Sequence, residues 1–271
     1  MKKPLIALVA VVLVAVAGFF YWQGTRHRDP EPPPRVETPP QPLPPREEPA
    51  VRYPVPDIPV PVVEEPAPEP PAPPRPLPAL AESDAEMREQ LARFFPGQEL
   101  GELFVLNNLI QRIVVTVDTL PQKELPVRLL PTRPMPGTFM VEGPESQKII
   151  SPQNQRRYNT FVRLVNAVDS RQAVSVYVRL YPLFQQAYRQ LGHPGYFNDR
   201  LVAVIDHLLA TPQVSEPIEV KQHVVRYRFV DPELEALSAG QKIMLRVGPD
   251  NARILKTKLR EIRELVTTLP N

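Results

Sequence analysis

The sequence predicts a mainly α-helical domain with a minor β-hairpin or strand element, preceded by a single transmembrane helix and a proline-rich disordered spacer. Three observations predict it: an uncharged run from Pro4 to Gln23, a proline-dense stretch from Pro30 to Pro78, and helical apolar spacing over most of the remainder. The expected parts are residues 1–28 (anchor), 29–80 (spacer) and 81–271 (helical domain).

The opening "MKKPLIALVAVVLVAVAGFFYWQGTRHR" sets two lysines before an apolar run about long enough to cross a hydrocarbon core as a helix. A cleaved signal peptide is the rival, because Ala15-Val16-Ala17 has the small-x-small form of a cleavage site. Apolar character persists through Phe19, Phe20, Tyr21 and Trp22, an aromatic cluster suited to a membrane interface, and this favours an uncleaved anchor. Lys2 and Lys3 compete with Arg26 and Arg28 in setting orientation. The expected arrangement keeps the amino terminus inside and exports the rest to a bacterial periplasm, from a single pass of the inner membrane.

Proline makes up close to half of Pro30 to Pro78. Without an N–H and with φ fixed, such a stretch forms neither helix nor sheet. It is expected as an extended rod rising about 3.1 Å per residue, with a reach on the order of 150 Å. Val55, Val60 and Val62 alternate with proline, a pattern that can also dock in an aromatic-lined groove. The order of anchor, rod and terminal domain resembles TonB-type energy-transducing proteins in layout alone.

With the spacer set aside, roughly 190 residues remain, ample for a buried core. Its first helix is expected from "SDAEMREQLARFFPG", with Ser83 and Glu86 as a capping box and Pro96-Gly97 as the stop. A second is expected over "QELGELFVLNNLIQRIVVTVDTLP", where Leu100, Leu103, Phe104, Ile110, Ile113, Val114 and Val117 keep helical spacing, although its β-branched end also suits a strand. The five prolines of "PQKELPVRLLPTRPMPG" predict an irregular arm, and "TFMVEGPESQKII" a small hairpin around Gly143-Pro144. Three helices follow, capped at Ser151, at Asp169-Ser170 and at Asn198. "KQHVVRYRFV" predicts a short strand, because Val225, Tyr227 and Phe229 alternate with Arg226 and Arg228. Asp231-Pro232 opens another helix, and "DNARILKTKLREIRELV" closes the chain with Leu255, Leu259, Ile262 and Val266 on one stripe.

The net charge is +2 with the basic residues dispersed, which makes nucleic acid a poor partner. There is no cysteine, hence no disulfide and no thiolate chemistry in any compartment. H-E-x-x-H, G-x-S-x-G, S-x-x-K, the P-loop and the dinucleotide glycine fingerprint are all missing from the sequence. No catalytic residue, cofactor or metal is therefore assigned. Tyr177, Tyr181, Phe184 and Tyr188 fall on one helical face, which suits core packing better than a ligand platform.

"LGHPGYFNDRLVAVIDHLLATP" concentrates polar and aromatic residues, but Gly192, Pro194 and Gly195 read as a helix break and Asn198-Asp199 as a cap with an acidic first turn. Asp206 and His207, adjacent in sequence, point about 100° apart, against an acid–base pair. On the last helix Arg253, Lys256, Arg260 and Arg263 form a basic stripe interrupted by Glu261 and Glu264; local ion pairs explain it more simply than anionic lipid. The interaction candidates are Tyr196, Asn198, Asp199, Arg200 and His207 with Arg253, Lys256, Arg260 and Arg263.

"GYFNDRLVAVIDHLLATP", "VRLYPLFQQAYRQLG", "VVTVDTLP" and "LSAGQKIMLRVGPDNARILKTKLREIREL" resemble the bacterial domain-of-unknown-function family numbered 3014, over nearly all of residues 82 to 266. The resemblance implies an α-helical, membrane-attached envelope domain with no catalytic residues to carry over. Its relatives are expected to share the run from Tyr196 to Arg200 and the Gly248-Pro249 boundary. The expected function is a non-enzymatic tethering domain on a spacer, meeting a protein partner in the envelope. The alternative is an envelope enzyme or ligand-binding protein acting on lipid or cell-wall material through Asp199, Arg200 and His207, and a homo-oligomer through helix faces is a third reading.

Overall fold

A computed structural model describes residues 50–55, 76–95, 99–135, 137–224 and 226–268. The expected anchor and most of the spacer lie outside the described residues. Among the described residues no helix is long and apolar enough to cross a membrane.

Nine helices are described: α1 Ser83–Phe94, α2 Glu99–Leu103, α3 Leu109–Thr119, α4 Gln153–Ala167, α5 Ser170–Gln190, α6 Phe197–Leu209, α7 Pro232–Ala236, α8 Ala239–Arg246 and α9 Pro249–Thr267. The strands β1 Val141–Glu142, β2 Lys148–Ile150, β3 Glu219–His223 and β4 Arg226–Phe229 form an antiparallel sheet in that order. The class is mainly α with a small sheet.

The centre is built from α3, α5, α6 and α9, with α1 packed on α3 and α4 on α9. On α3, Ile110, Ile113, Val114 and Val117 are fully buried at helical spacing. The 3.6 period thus prevails over the strand preference of β-branched residues, each side chain contributing on the order of 1.5–3 kcal/mol by leaving water. The stripe Tyr177, Phe184 and Tyr188 of α5 is buried too, packed on Phe197, while Tyr181 is partly buried. Burial pushes the Tyr181 phenol up to about 12.

Several expected helix starts differ. Ser83 is not a cap: its hydroxyl donates to the Leu80 carbonyl at 2.7 Å, and Glu86 pairs with Arg179. The helix expected over residues 98–121 is two, because the chain between them is drawn aside. The Val105 N–H donates to Pro131 O and the Arg133 N–H to Leu103 O, and Asn108 turns left-handed at φ 50°. Asp84 then caps α3 from a neighbouring helix, accepting the Asn108 and Leu109 N–H groups at 2.8 and 3.0 Å. The Ser151 hydroxyl does accept a first-turn N–H, that of Gln153, and Asp169 caps α5 through Gln172 N–H. Asn198 is no cap, since α6 starts at Phe197 and the Asn198 side chain turns inward.

The hairpin around Gly143-Pro144 forms as expected between β1 and β2. "KQHVVRYRFV" contributes parts of two strands, β3 and β4, in place of the single strand expected, with Val225 outside the described residues. The sheet buries its own small cluster, Ile218, Val220, Phe229, Leu234 and Leu245, separate from the helical core.

Candidate functional site

The N-terminal end of α6 gathers most of the candidates. Its position follows from the loop before it: Gln185 of α5 donates to the Gly195 carbonyl and accepts the Phe197 N–H at 2.8 Å, fixing where the new helix starts. Tyr196 is the residue that precedes the first turn.

Asn198 is wholly buried, and its amide is fully used. The Tyr177 hydroxyl donates to its Oδ1 at 3.0 Å, and its Nδ2 donates to the Val266 carbonyl at 3.1 Å and the Tyr53 carbonyl at 2.9 Å. Asp199 accepts the main-chain N–H groups of Arg52 and Tyr53 at 3.0 and 2.6 Å. Part of the expected free rod, residues 50–55, therefore lies against the helical domain, with Tyr53 packed on the core.

Arg200 reaches α3, donating to the Asp118 carboxylate at 2.9 Å and the Asp118 carbonyl at 2.5 Å. His193 meets the other carboxylate oxygen at 3.1 Å and stacks on Tyr188 at 4.6 Å between centroids. This arrangement joins the α5–α6 loop, α3 and α6 electrostatically. Nothing in the composition announced it, but the signal was Asp118, a single acid in the apolar run "VVTVDTLP".

His207 lies 2.8 Å from the Ser238 hydroxyl, and Ser238 caps α8 by accepting the Gln241 N–H. Burial, and then the charge of Arg200, hold the imidazole below its ordinary value, so a neutral ring accepting the Ser238 proton suits the geometry. Ser238 is buried and committed to the cap, which leaves no open nucleophile at this pair. Asp199, Arg200 and His207 each hold a different partner and do not converge on a common reacting position.

The basic stripe of α9 is divided among local partners. Arg253 pairs with Asp250, Lys256 donates to the Thr211 carbonyl, and Arg263 grips Asp206 with a two-bond fork. Arg260 is exposed. Lys258, outside the candidates, is buried and donates to Val168 O, Ser170 Oγ and Glu261, tying α9 to the α4–α5 junction. Among the described residues no group of acidic and histidine side chains is arranged to hold a metal. A recess bordered by Ser151, Asn154, Glu216 and Gly248 has room only for water.

The β3–β4 hairpin carries a feature that the sequence reading treated only as alternation. Its register sets Lys221 opposite Arg228 and His223 opposite Arg226, on the face away from Val220 and Phe229. Lys221 and Arg228 are like charges directly opposite, which destabilises a sheet. Val224, at the turn, has φ 56°, unfavourable for a β-branched residue, and is 78% exposed. Both features work against the fold and face solvent.

A helical domain with a small basic sheet and a docked segment at one helix start defines the class: an α-helical module with no assembled catalytic constellation among the described residues. The chain belongs to the family described as "Protein of unknown function (DUF3014)", whose model matches residues 109–263, from the start of α3 into α9. No curated protein and no solved structure matches it.

Proposed function

We propose that this chain is a non-enzymatic interaction domain held on a proline-rich spacer from a single-pass anchor in the bacterial inner membrane, with the domain in the periplasm. The anchor rests on the apolar run Pro4 to Gln23 and the aromatic cluster that ends it, and the orientation on Lys2 and Lys3 ahead of that run. The observation that carries the interaction role is the β3–β4 hairpin. A like-charge cross-strand pair, Lys221 opposite Arg228, and a strained, exposed valine are unfavourable in isolation, and an acidic surface of a protein partner would relieve them. Lys221 and Arg228 supply the charge, and Val224 the apolar contact at the tip.

A photo-crosslinking residue at Val224 in intact cells tests this, with Thr160, exposed on α4, as the control position. The expected result is one protein joined at 224 and absent at 160, and lost when Lys221→Glu and Arg228→Glu reverse the charge. Lipid or glycan at 224 would move the reading to an envelope ligand-binding protein or enzyme. Equal products at both positions would overturn it.

A further inference from the structure

We propose that the start of α6 is a recognition site for an extended Arg-Tyr-Pro peptide segment, filled by the chain's own residues 50–55, and that this docking shortens the reach of the spacer. The contacts are those of a peptide site. Two consecutive main-chain N–H groups, of Arg52 and Tyr53, meet the two oxygens of one carboxylate, Asp199. The next carbonyl, of Tyr53, meets the buried amide of Asn198, which is itself held by Tyr177 and by the end of α9. Tyr53 packs its ring on the core, while the side chains of Arg52 and Pro54 stay exposed.

The sequence explains why this stretch is the one that docks. The carboxylate needs two adjacent residues with N–H groups, and proline interrupts most of the spacer. "AVRY" is a proline-free run of four, and Tyr53 is the only aromatic residue between Pro30 and Pro78. Pro54 follows directly and brings no N–H that would go unpaired. The occupant is thus specified by a non-proline pair, an aromatic ring and a following proline, with its main chain gripped whatever the identity at position 52.

The consequence for reach rests on the tether reading. With residues 50–55 seated, the part of the spacer that separates anchor from domain ends at 49, and its extended length falls from about 150 Å to about 60 Å. Release of the segment restores the longer tether.

Amide exchange in the full chain in detergent tests the docking, since an extended proline-rich segment leaves its few amides fully open to water. The Arg52 and Tyr53 amides are expected to exchange at least tenfold slower in the wild-type chain than in Tyr53→Ala or Asp199→Asn, with the amides of α6 from Leu201 to Leu209 unchanged in all three. Tyr53 packs on the core from outside it, and unchanged exchange over Leu201 to Leu209 shows that Tyr53→Ala leaves the helical fold intact. Intrinsic-rate exchange at both amides in the wild type, or equal rates in the three chains, overturns the proposal. The chain has no cysteine, so a dye on Thr160→Cys in full chain reconstituted into phosphatidylcholine vesicles reads its distance from the bilayer surface, expected to grow in Asp199→Asn. If alkaline carbonate strips the chain from the membrane while the exchange protection persists, the tether reading fails and the docking stands.

Discussion

Asn198 shows how one side chain can serve three segments at once. Its amide joins Tyr177 of α5 and the last turn of α9 at Val266 out of water, and the docked segment at Tyr53 where burial is partial. Replacing it by alanine leaves the Val266 carbonyl and the Tyr177 hydroxyl buried without that partner, which costs about 1–3 kcal/mol. Asn198→Ala should lower the urea midpoint by that amount at unchanged m, whereas Asp199→Asn, which releases only residues 50–55, should stay within about 0.5 kcal/mol of wild type. His207 makes a second residue-scale prediction. Its folded value lies below 6.5, so the unfolded chain takes up the proton first as pH falls. Its stabilisation is therefore present above pH 6.5 and is lost progressively below it, towards the folded value. Burial alone would raise the carboxyls of Glu235 and Glu261, but hydrogen bonds outweigh it, from Lys242 and the Phe229 N–H to the first and from Lys258 and Ser170 to the second. Their contributions are lost only on titration below their ordinary value of 4.5. The melting temperature should thus fall between about pH 7 and 5 in the wild type and stay flatter in His207→Gln.

At the scale of elements, most caps are local, as Asp169 is for α5 and Ser238 for α8, but α3 is capped from another helix, and α1 with α3 gives the sharpest contrast. Ser83 and Glu86 have the spacing of a capping box, yet Ser83 bonds Leu80 O, while Asp84 caps the start of α3. Asp84→Ala should therefore cost about 0.5–2 kcal/mol, more than loss of the Ser83 hydroxyl, in paired thermal denaturation of the two variants. That inversion explains what the sequence could and could not disclose. Apolar and aromatic spacing located α3, α5 and α9, because a buried stripe is a property of one segment and its spacing, while α1, α4 and α6 were located by the cap and stop residues around them. The break between α2 and α3 was hidden, because it arises from pairing of residues 103–105 with 131–133, a contact no local pattern records. α8 was missed although Ser238 and Gln241 form a full capping box, because a helix of this length carries too few turns for its period to stand out. Of the site, the sequence indicated the run from Tyr196 to Arg200 but assigned Asn198 to a cap. Its true partners lie on α5, α9 and the spacer, distant in sequence and adjacent only after folding.

The whole molecule has two apolar clusters of unequal size, and this sets how it should open. The helical core runs through α1, α3, α4, α5, α6 and α9, whereas the sheet rests on Ile218, Val220, Phe229, Leu234 and Leu245. α8 links them, contributing Ile243 and Met244 to the first and Leu245 to the second. A small cluster carries little burial energy, and here it must also hold Lys221 against Arg228. The sheet should therefore open on its own at lower free energy than the helices, giving amides of β3 and β4 less protection than those of α3 and α5 in native-state exchange. Repulsion between exposed charges is screened by salt, with the screening length falling from about 10 Å at 0.1 M to about 3 Å at 1 M. Raising ionic strength over that range should increase protection in β3 and β4 while leaving the apolar α3 nearly unchanged. A uniform change in both, or protection of the sheet equal to that of α3, would mean that the two clusters unfold as one unit and that the Lys221–Arg228 pair carries no strain. An acidic partner on the hairpin should act as salt does, raising the protection of β3 and β4 by supplying the opposite charge.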